Sequence, residues 1–482
     1  MMEETSSYTI EIETPREYIE SLIGFIDQKY VKSQRERFAD VSRKTVEGNP
    51  SIAFTLLDSA GKQSLSVEVI GSKPLKLNIK RLQPTVSAEE MEEAKQDIII
   101  VVEFFEEKVR SNTLFLAWRE GEDIVPEKLH AKEKSLNRLF LETQIPLFVV
   151  FISLGMVLFL IIGWLAPIML LAVQLVFVFY SNKIIARTAD WHITQSNPNI
   201  HLLEYHLPID SGSEHGDSAR KYSKDELLQI KKEIYEETLA KKGEIDCAAV
   251  QKVFEKHGST CNPEDLSTKK LNVYELVKRT ADSFGFPIPE IVVSNTTAPN
   301  AAASGPSPSR GIVLITTGLL NQLSEDEILG VLGHEFGHLR GRDPLLLYAL
   351  TGIEFLFRFY VLLPLFPLLF SSVLFLFYFW AVMTIIYFIA KFFEARADLV
   401  SAIVIGKPKV LGDALEKIGF KRLLYERAPS NRLQEWIRLD PHPPIYFRVN
   451  RLMKLKEPVE IRHPLVQSAK DVIHGFFASS QN

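Results

Sequence analysis

The segment LSEDEILGVLGHEFGHLRGRD, residues 323–343, holds the residue types best suited to chemistry. His334 and His338 are four residues apart. On a helix that spacing stacks both imidazoles on one face, where both can reach one metal ion. Glu335 follows the first histidine, where its carboxylate can reach a metal-activated water. This is the H-E-x-x-H pattern, and its mechanical reading is metal-dependent hydrolysis. A surface helix with two solvated histidines is the bland alternative. A catalytic zinc takes three protein ligands and keeps one open position, so a third ligand separates the two readings.

FIAKFFEARADLVSA, residues 388–402, supplies a candidate. Glu394 and Asp398 fall at i,i+4 on a helix leaving an apolar stretch. Glu394 is the candidate third ligand. Asp398 is the candidate acceptor for a ligand imidazole N–H, which would fix its tautomer and ring orientation. An exposed charged face of Glu394, Arg396 and Asp398 is the competing reading. No joint metal site is expected of His201, Glu204 and His206 in NPNIHLLEYHLP, because 201 and 206 point to opposite faces of an alternating strand.

These residues need a helix to carry them. Ser324 and Glu327 make a capping box, and Ile328, Leu329, Val331, Leu332, Phe336 and Leu339 give the helix an apolar side. Strands are expected at 51–58, 64–71, 74–82, 291–295 and 312–318. Ser87 precedes a helix with an acidic first turn. Helices are expected over about 224–240, opened by the capping box of Ser223 and Glu226, over about 246–257, and over about 268–284.

Two regions carry almost no charge. Residues 145–180 as one helix would be about 54 Å long, against a hydrocarbon core of about 30 Å. Two short spans turning at 163–167 fit better. The region from Pro344 to Ala390 divides near Pro364 and Pro367 into spans of about 345–363 and 368–390. The first of these carries Glu354 and Arg358, an i,i+4 pair. Such a pair is either functional or simply self-neutralising. Flanking Lys132, Lys134, Arg138, Lys183, Arg187, Arg340, Arg342, Lys391 and Arg396 place residues 1–144, 182–343 and 391–482 on the cytoplasmic side.

Composition bounds the remaining options. The 482 residues are 46% hydrophobic and 24% charged, which excludes a disordered or collagen-like chain. A net charge of −5 gives no basic field for nucleic acid. Cys247 and Cys261 are too few for a disulfide framework and read as free thiols, with one disulfide between them as the alternative. The N-terminus has no basic region followed by an apolar one, so a cleaved secretory signal is not expected.

HEFGHLRGRD followed by EARAD resembles the HtpX-like membrane zinc endopeptidases, relatives of the CAAX prenyl proteases. PNAAASG, 299–305, is similar to that family's edge-strand signature, and HPPIYFRVNRL, 442–452, to its late His-Pro element. The resemblance covers roughly residues 270–455. It implies that His334, His338 and Glu394 bind one Zn2+ per chain, that Glu335 is the general base, and that Asp398 orients a ligand. It implies that His442 and Arg448 lie beside the zinc. It also implies that Asn300, Ala301, Ala302, Ala303 and Ser304 form the edge strand that takes substrate as an added strand. The additional N-terminal residues and the long linker depart from the family pattern.

The expected architecture is an α-helical integral membrane protein with four transmembrane helices. Its catalytic domain would be a mainly α, gluzincin-like zincin with a small β element, and an extra N-terminal α+β soluble domain would precede it. The expected parts are an N-terminal domain at 1–144, a first transmembrane hairpin at 145–181 and linker plus catalytic residues at 182–343. A second hairpin at 344–390 and the remaining catalytic residues at 391–482 follow. The expected function is zinc-dependent hydrolysis of polypeptides, membrane proteins among them, at the cytoplasmic face of the cell membrane, in quality control. The expected partners are these substrates and the lipid bilayer, with no nucleic acid. A CAAX-type prenyl-peptide protease and a non-catalytic scaffold or receptor with a structural zinc are the alternatives.

Overall fold

A computed structural model describes residues 5–58, 60–111, 113–121, 124–125, 145–206, 223–241, 243–257, 266–370, 372–426 and 429–481. Lys132, Lys134, Arg138 and Cys261 lie outside the described residues. The chain divides into two compact units, 1–116 with 203–268 and 416–424, and 117–202 with 269–415 and 425–482.

In the first unit, β1 (Thr5–Ile10), β2 (Phe38–Val46), β3 (Asn49–Leu57), β4 (Gln63–Ile70) and β5 (Leu75–Arg81) form an antiparallel sheet ordered β1-β5-β4-β3-β2. β3, β4 and β5 coincide with the three expected strands to within two residues. Alternation puts Ile52, Phe54, Val67, Val69, Leu77 and Ile79 on the covered face, all fully buried or nearly so. Helices α1 (Ile19–Phe25) and α2 (Ala88–Ser111) supply Leu22, Ile23, Ile98 and Val102 to the same core. Each such side chain contributes about 1.5–3 kcal/mol on burial. Ser87 Oγ accepts the N–H of Glu90 at 3.1 Å and caps α2. The helices Lys224–Glu237, with its capping box intact, and Cys247–Lys256 also fall in this unit.

Later strands are β6 (Thr113–Arg119), β7 (Trp191–Ile193), β8 (Asn199–His206), β9 (Leu266–Asn272), β10 (Glu290–Ser294), β11 (Ala301–Ser304) and β12 (Ile312–Thr316). They build a three-stranded sheet, β6-β8-β9, and a four-stranded sheet, β11-β12-β10-β7. β9 corrects the expected helix over 268–284: the helix begins only at Val273. Asn272 is its cap, with Oδ1 accepting the N–H of Glu275 at 2.8 Å, and the preceding residues pair as a strand. His201 is buried, with Nε2 2.7 Å from Glu120 Oε1, so that ring nitrogen has a hydrogen-bond partner.

In the second unit, α3 (Ile145–Ile162) and α4 (Ala166–Phe179) are joined by a tight turn at Gly163–Leu165. Gly163 has φ +58°, a value that glycine adopts without penalty. The helices fold back on each other, since a Cβ at Gly155 would lie 3.4 Å from Leu170 Cδ2. α5 (Val273–Phe284), α6 (Glu325–Gly341) and α7 (Asp343–Phe357) follow, and α7 runs on through one π-helical turn, Arg358–Leu362. α8 (Leu374–Val404) is a single helix of 31 residues. At about 1.5 Å per residue it is roughly 46 Å long, more than a bilayer core requires. Its last turns carry Glu394 and Asp398. Among the described residues, three helical stretches are long and apolar enough to cross a membrane: Ser153–Phe179, Asp343–Leu365 and Leu374–Val404. α9 (Ile445–Met453) and α10 (Pro464–Gln481) pack along α8.

The polar pair in the apolar region closes on itself. Arg358 Nε is 3.0 Å from Glu354 Oε1, and Tyr378 on α8 donates to the same oxygen at 2.9 Å.

Candidate metal centre

Two helices build the centre. α6 starts at a capping box in which Ser324 Oγ accepts the Glu327 N–H and Glu327 Oε2 accepts the Ser324 N–H. α6 then meets α8 at very close range. A Cβ at Gly337 would sit 3.0 Å from the Ala397 backbone, and one at Gly333 would sit 2.6 Å from Ser401 Oγ. The missing side chains let the two backbones approach. That approach brings Glu394 and Asp398 onto the histidine face of α6.

His334, His338 and Glu394 offer ligand atoms that all lie within 4.8 Å of one another. His334 Nε2 is 3.1 Å from His338 Nε2. Glu394 lies 3.4 Å from His334 Nε2 through Oε2, and 3.3 Å from His338 Nε2 through Oε1. A tetrahedral ion with bonds of about 2.0–2.1 Å needs ligand atoms about 3.3 Å apart, so this donor set fits zinc. Glu394 Oε2 is also buried without a hydrogen-bond donor, as a metal-facing oxygen would be.

Carboxylates back both histidines. His334 Nδ1 lies 2.8 Å from Asp398 Oδ1. Arg448 on α9 holds Asp398 with both forks, Nε to Oδ2 at 2.9 Å and Nη2 to Oδ1 at 2.7 Å. Burial disfavours the His334 imidazolium, but the carboxylates of Asp398 and Glu394 beside the ring outweigh it and raise its pKa to about 10. A bound cation would displace that proton. Burial also works against the Arg448 charge, and Asp398 more than compensates.

The other expected residues fall around this centre. Glu335 Oε2 accepts the backbone N–H of Ala303 at 2.8 Å. β11 pairs with β12 along one edge only and is terminal in its sheet. The Asn300 carbonyl accepts from Thr316 N, so the even-numbered residues bond to β12 while Ala301 and Ala303 present their backbone groups outward. His442 Nε2 is 3.7 Å from Glu394 Oε1, and its Nδ1 is 2.9 Å from Asp440 Oδ1. Arg448 Nη1 is 4.0 Å from Glu394 Oε2, so this guanidinium is nearer Asp398 than the ligand carboxylate.

Spacing did not point to three further residues. Asp343 Oδ2 lies 2.7 Å from His338 Nδ1, and Arg396 grips Asp343. Fully buried Lys391 donates to the carbonyls of Arg438 and Asp440, which fixes the loop carrying His442. An acid five residues after His338, and two cations interrupting the helix that carries Glu394, are the signals that could have found them.

A family model described as Peptidase family M48 matches residues 267–456. The protein is similar to a "Protease HtpX homolog" of Caldanaerobacter subterraneus subsp. tengcongensis, 30% identical over 213 residues, which cover 38% of this chain and 71% of that protein. A homologue from Gemmatimonas aurantiaca is 29% identical over 218 residues, covering 38% and 75%. A third, from Thermodesulfovibrio yellowstonii, is 40% identical over 74 residues, covering 15% of this chain and only 26% of its own length. The crystal structure of S. mikatae Ste24p aligns over 76% of each chain, with 14% identity and a TM-score of 0.37, too distant a likeness to carry a conclusion.

Proposed function

The chain belongs to peptidase family M48, and from that premise we propose that it is a membrane zinc endopeptidase whose centre is His334, His338 and Glu394. The observation that carries the reading is the tetrahedral spacing of those three ligand groups beside Glu335. Zinc, when bound, would supply a Lewis acid that acidifies water and polarises a peptide carbonyl. Glu335 would take the proton of the attacking water and pass it to the leaving amine. His442, held by Asp440 at Nδ1, would place Nε2 beside the developing oxyanion. Arg448 would act through Asp398, keeping the His334 ring in place.

The outward backbone groups of Ala301 and the outward carbonyl of Ala303 would pair with an extended substrate, a grip that makes little sequence demand. In this reading the edge of β11 would lay the substrate strand beside the Glu335 carboxylate, which the Ala303 N–H holds. The hairpins of α3 with α4, and of α7 with α8, would give four spans. Lys183, Arg187, Arg340 and Arg342 would keep the catalytic residues on the cytoplasmic side. Lys391 and Arg396 add little to that bias, because their charges are engaged inside the catalytic unit. The substrates would be polypeptides, damaged membrane proteins among them, and the N-terminal domain would regulate access or recruit them.

Cleavage of casein and of a farnesylated peptide by the zinc-loaded, detergent-purified protein tests this reading. Casein cleavage supports general endopeptidase activity. Cleavage of the prenylated peptide alone would replace it with the prenyl-peptide reading. Cleavage of neither, with zinc bound at a closed four-ligand site, would favour the scaffold.

A further inference from the structure

Each histidine of the centre is backed by a carboxylate, and each carboxylate by an arginine. One set is His334, Asp398 and Arg448. The other is His338, Asp343 and Arg396, and it comes from a different part of the chain. Asp343 opens α7, directly after Arg342, which caps α6 in the left-handed conformation with φ +54°. That sharp turn folds the first residue of α7 back beneath the last turn of α6. Asp343 is 3% exposed, and its Oδ2 is 2.7 Å from His338 Nδ1.

Arg396 reaches the same carboxylate from α8. Its Nη2 lies 2.7 Å from Asp343 Oδ1 and 2.6 Å from Oδ2, and it also donates to the Gly337 carbonyl at 3.2 Å. The guanidinium occupies space that any side chain at 341 would need. A Cβ on Gly341 would fall 1.7 Å from Arg396 Nη2 and 2.2 Å from its Cζ. Gly341 is therefore a cradle for the arginine.

We propose that Asp343 and Arg396 are positioning residues for the metal centre: Asp343 fixes the tautomer and plane of His338, and Arg396 fixes Asp343. The inference rests on the zinc reading given above. An imidazole whose Nδ1–H is held by a carboxylate presents the Nε2 lone pair, and the carboxylate raises its basicity as a ligand. Arg396 also supplies the counter-charge that a nearly buried Asp343 requires. The pair ties three helices to one ligand, since α6, α7 and α8 each contribute one residue.

The test is zinc affinity by chelator competition on the full-length protein, with the visible spectrum of the cobalt-substituted protein as a second readout. Asp343→Ala should weaken zinc binding about 10–100-fold. It should also change the cobalt ligand-field bands, because the His338 ring is no longer held. Asp343→Asn, which keeps an acceptor for Nδ1–H, should recover part of the loss. Gly341→Ala changes neither member of the pair but displaces the guanidinium, and it should weaken binding in the same direction. Added guanidinium should partly restore Arg396→Ala. Asp326→Asn, a surface control, should match the wild type. Should Asp343→Ala fail to fold, Gly341→Ala and Arg396→Lys decide the matter by the same two readouts. Wild-type zinc affinity and an unchanged cobalt spectrum in folded variants would overturn the proposal. A wild-type protein that binds no zinc would instead overturn the reading on which it rests.

Discussion

The backbone N–H of Ala303 donates to Glu335 Oε2 at 2.8 Å. The outward edge of β11 thereby meets α6, so a substrate strand and Glu335, the proposed base, would be aligned by one structural feature. Ala303→Pro removes this donor without removing a bond to β12, because the Ala303 N–H points away from that partner. A hydrogen bond to a charged group contributes about 1.5–3 kcal/mol. The variant should therefore lose about 10–100-fold in kcat/KM on an unfolded polypeptide while retaining its zinc. Unchanged kcat/KM would separate β11 from substrate alignment.

Arg448 neutralises Asp398 in a site where both side chains are at most 6% exposed. Removing one member of such a pair costs about 3–5 kcal/mol, because the other charge stays buried. Arg448→Ala should lower the unfolding midpoint clearly, and Arg448→Lys should lower it less. An unaltered midpoint in denaturant titrations would show that Asp398 finds another partner.

Glu354 and Arg358 test whether the apolar hairpin carries a functional charge or a self-neutralising pair. Arg358→Ala leaves Glu354 with only Tyr378, so it should destabilise the protein more than the double variant Glu354→Ala/Arg358→Ala. Thermal unfolding in detergent gives the comparison. A double variant as destabilised as the sum of the singles would show that the pair is not coupled.

Glu103 in the first unit is buried and held by Arg110 at 2.9 Å, and Arg110 also pairs with Glu13. Burial, reinforced by Glu106 and opposed by Arg110, raises the Glu103 pKa from 4.5 to about 7. The folded state then binds more protons than the unfolded state between these two values. Stability of this unit should fall as pH rises from about 4.5 to about 7. Pulse proteolysis, reading cleavage within residues 49–111 across that range, measures the trend. Glu103→Gln should lessen it, leaving the part due to Glu13, whose carboxyl burial also raises, and a rise with pH would contradict the assignment.

Much of the centre was legible in the sequence because its determinants are local. The capping box at Ser324, the period of the α6 apolar face and the four-residue spacing of the histidines are all contained in one helix. Glu394 and Asp398 share a face for the same reason, although only the glycine-mediated approach of α8 brings them to the histidines. Asp343 and Arg396 were not legible: they lie 53 residues apart, and no local period announces their contact. Arg396 reads as a solvated charge until α6 is placed over it. β9 was misread because LSTKKLN alternates weakly and runs straight into a true helix, with the boundary set by one capping side chain at Asn272. β1 and β2 were missed because edge strands bury little, and β2 is mostly exposed.

The most direct measurement is proteolysis of casein by zinc-loaded wild type and Glu335→Gln, with zinc content measured on the same samples. The substitution keeps the size and one acceptor oxygen but cannot carry the proton. Both proteins should hold one zinc per chain, and the variant should lose at least about 100-fold in turnover. Equal turnover by the two, at equal zinc content, would contradict the assignment of Glu335 as the base and the hydrolytic mechanism built on it.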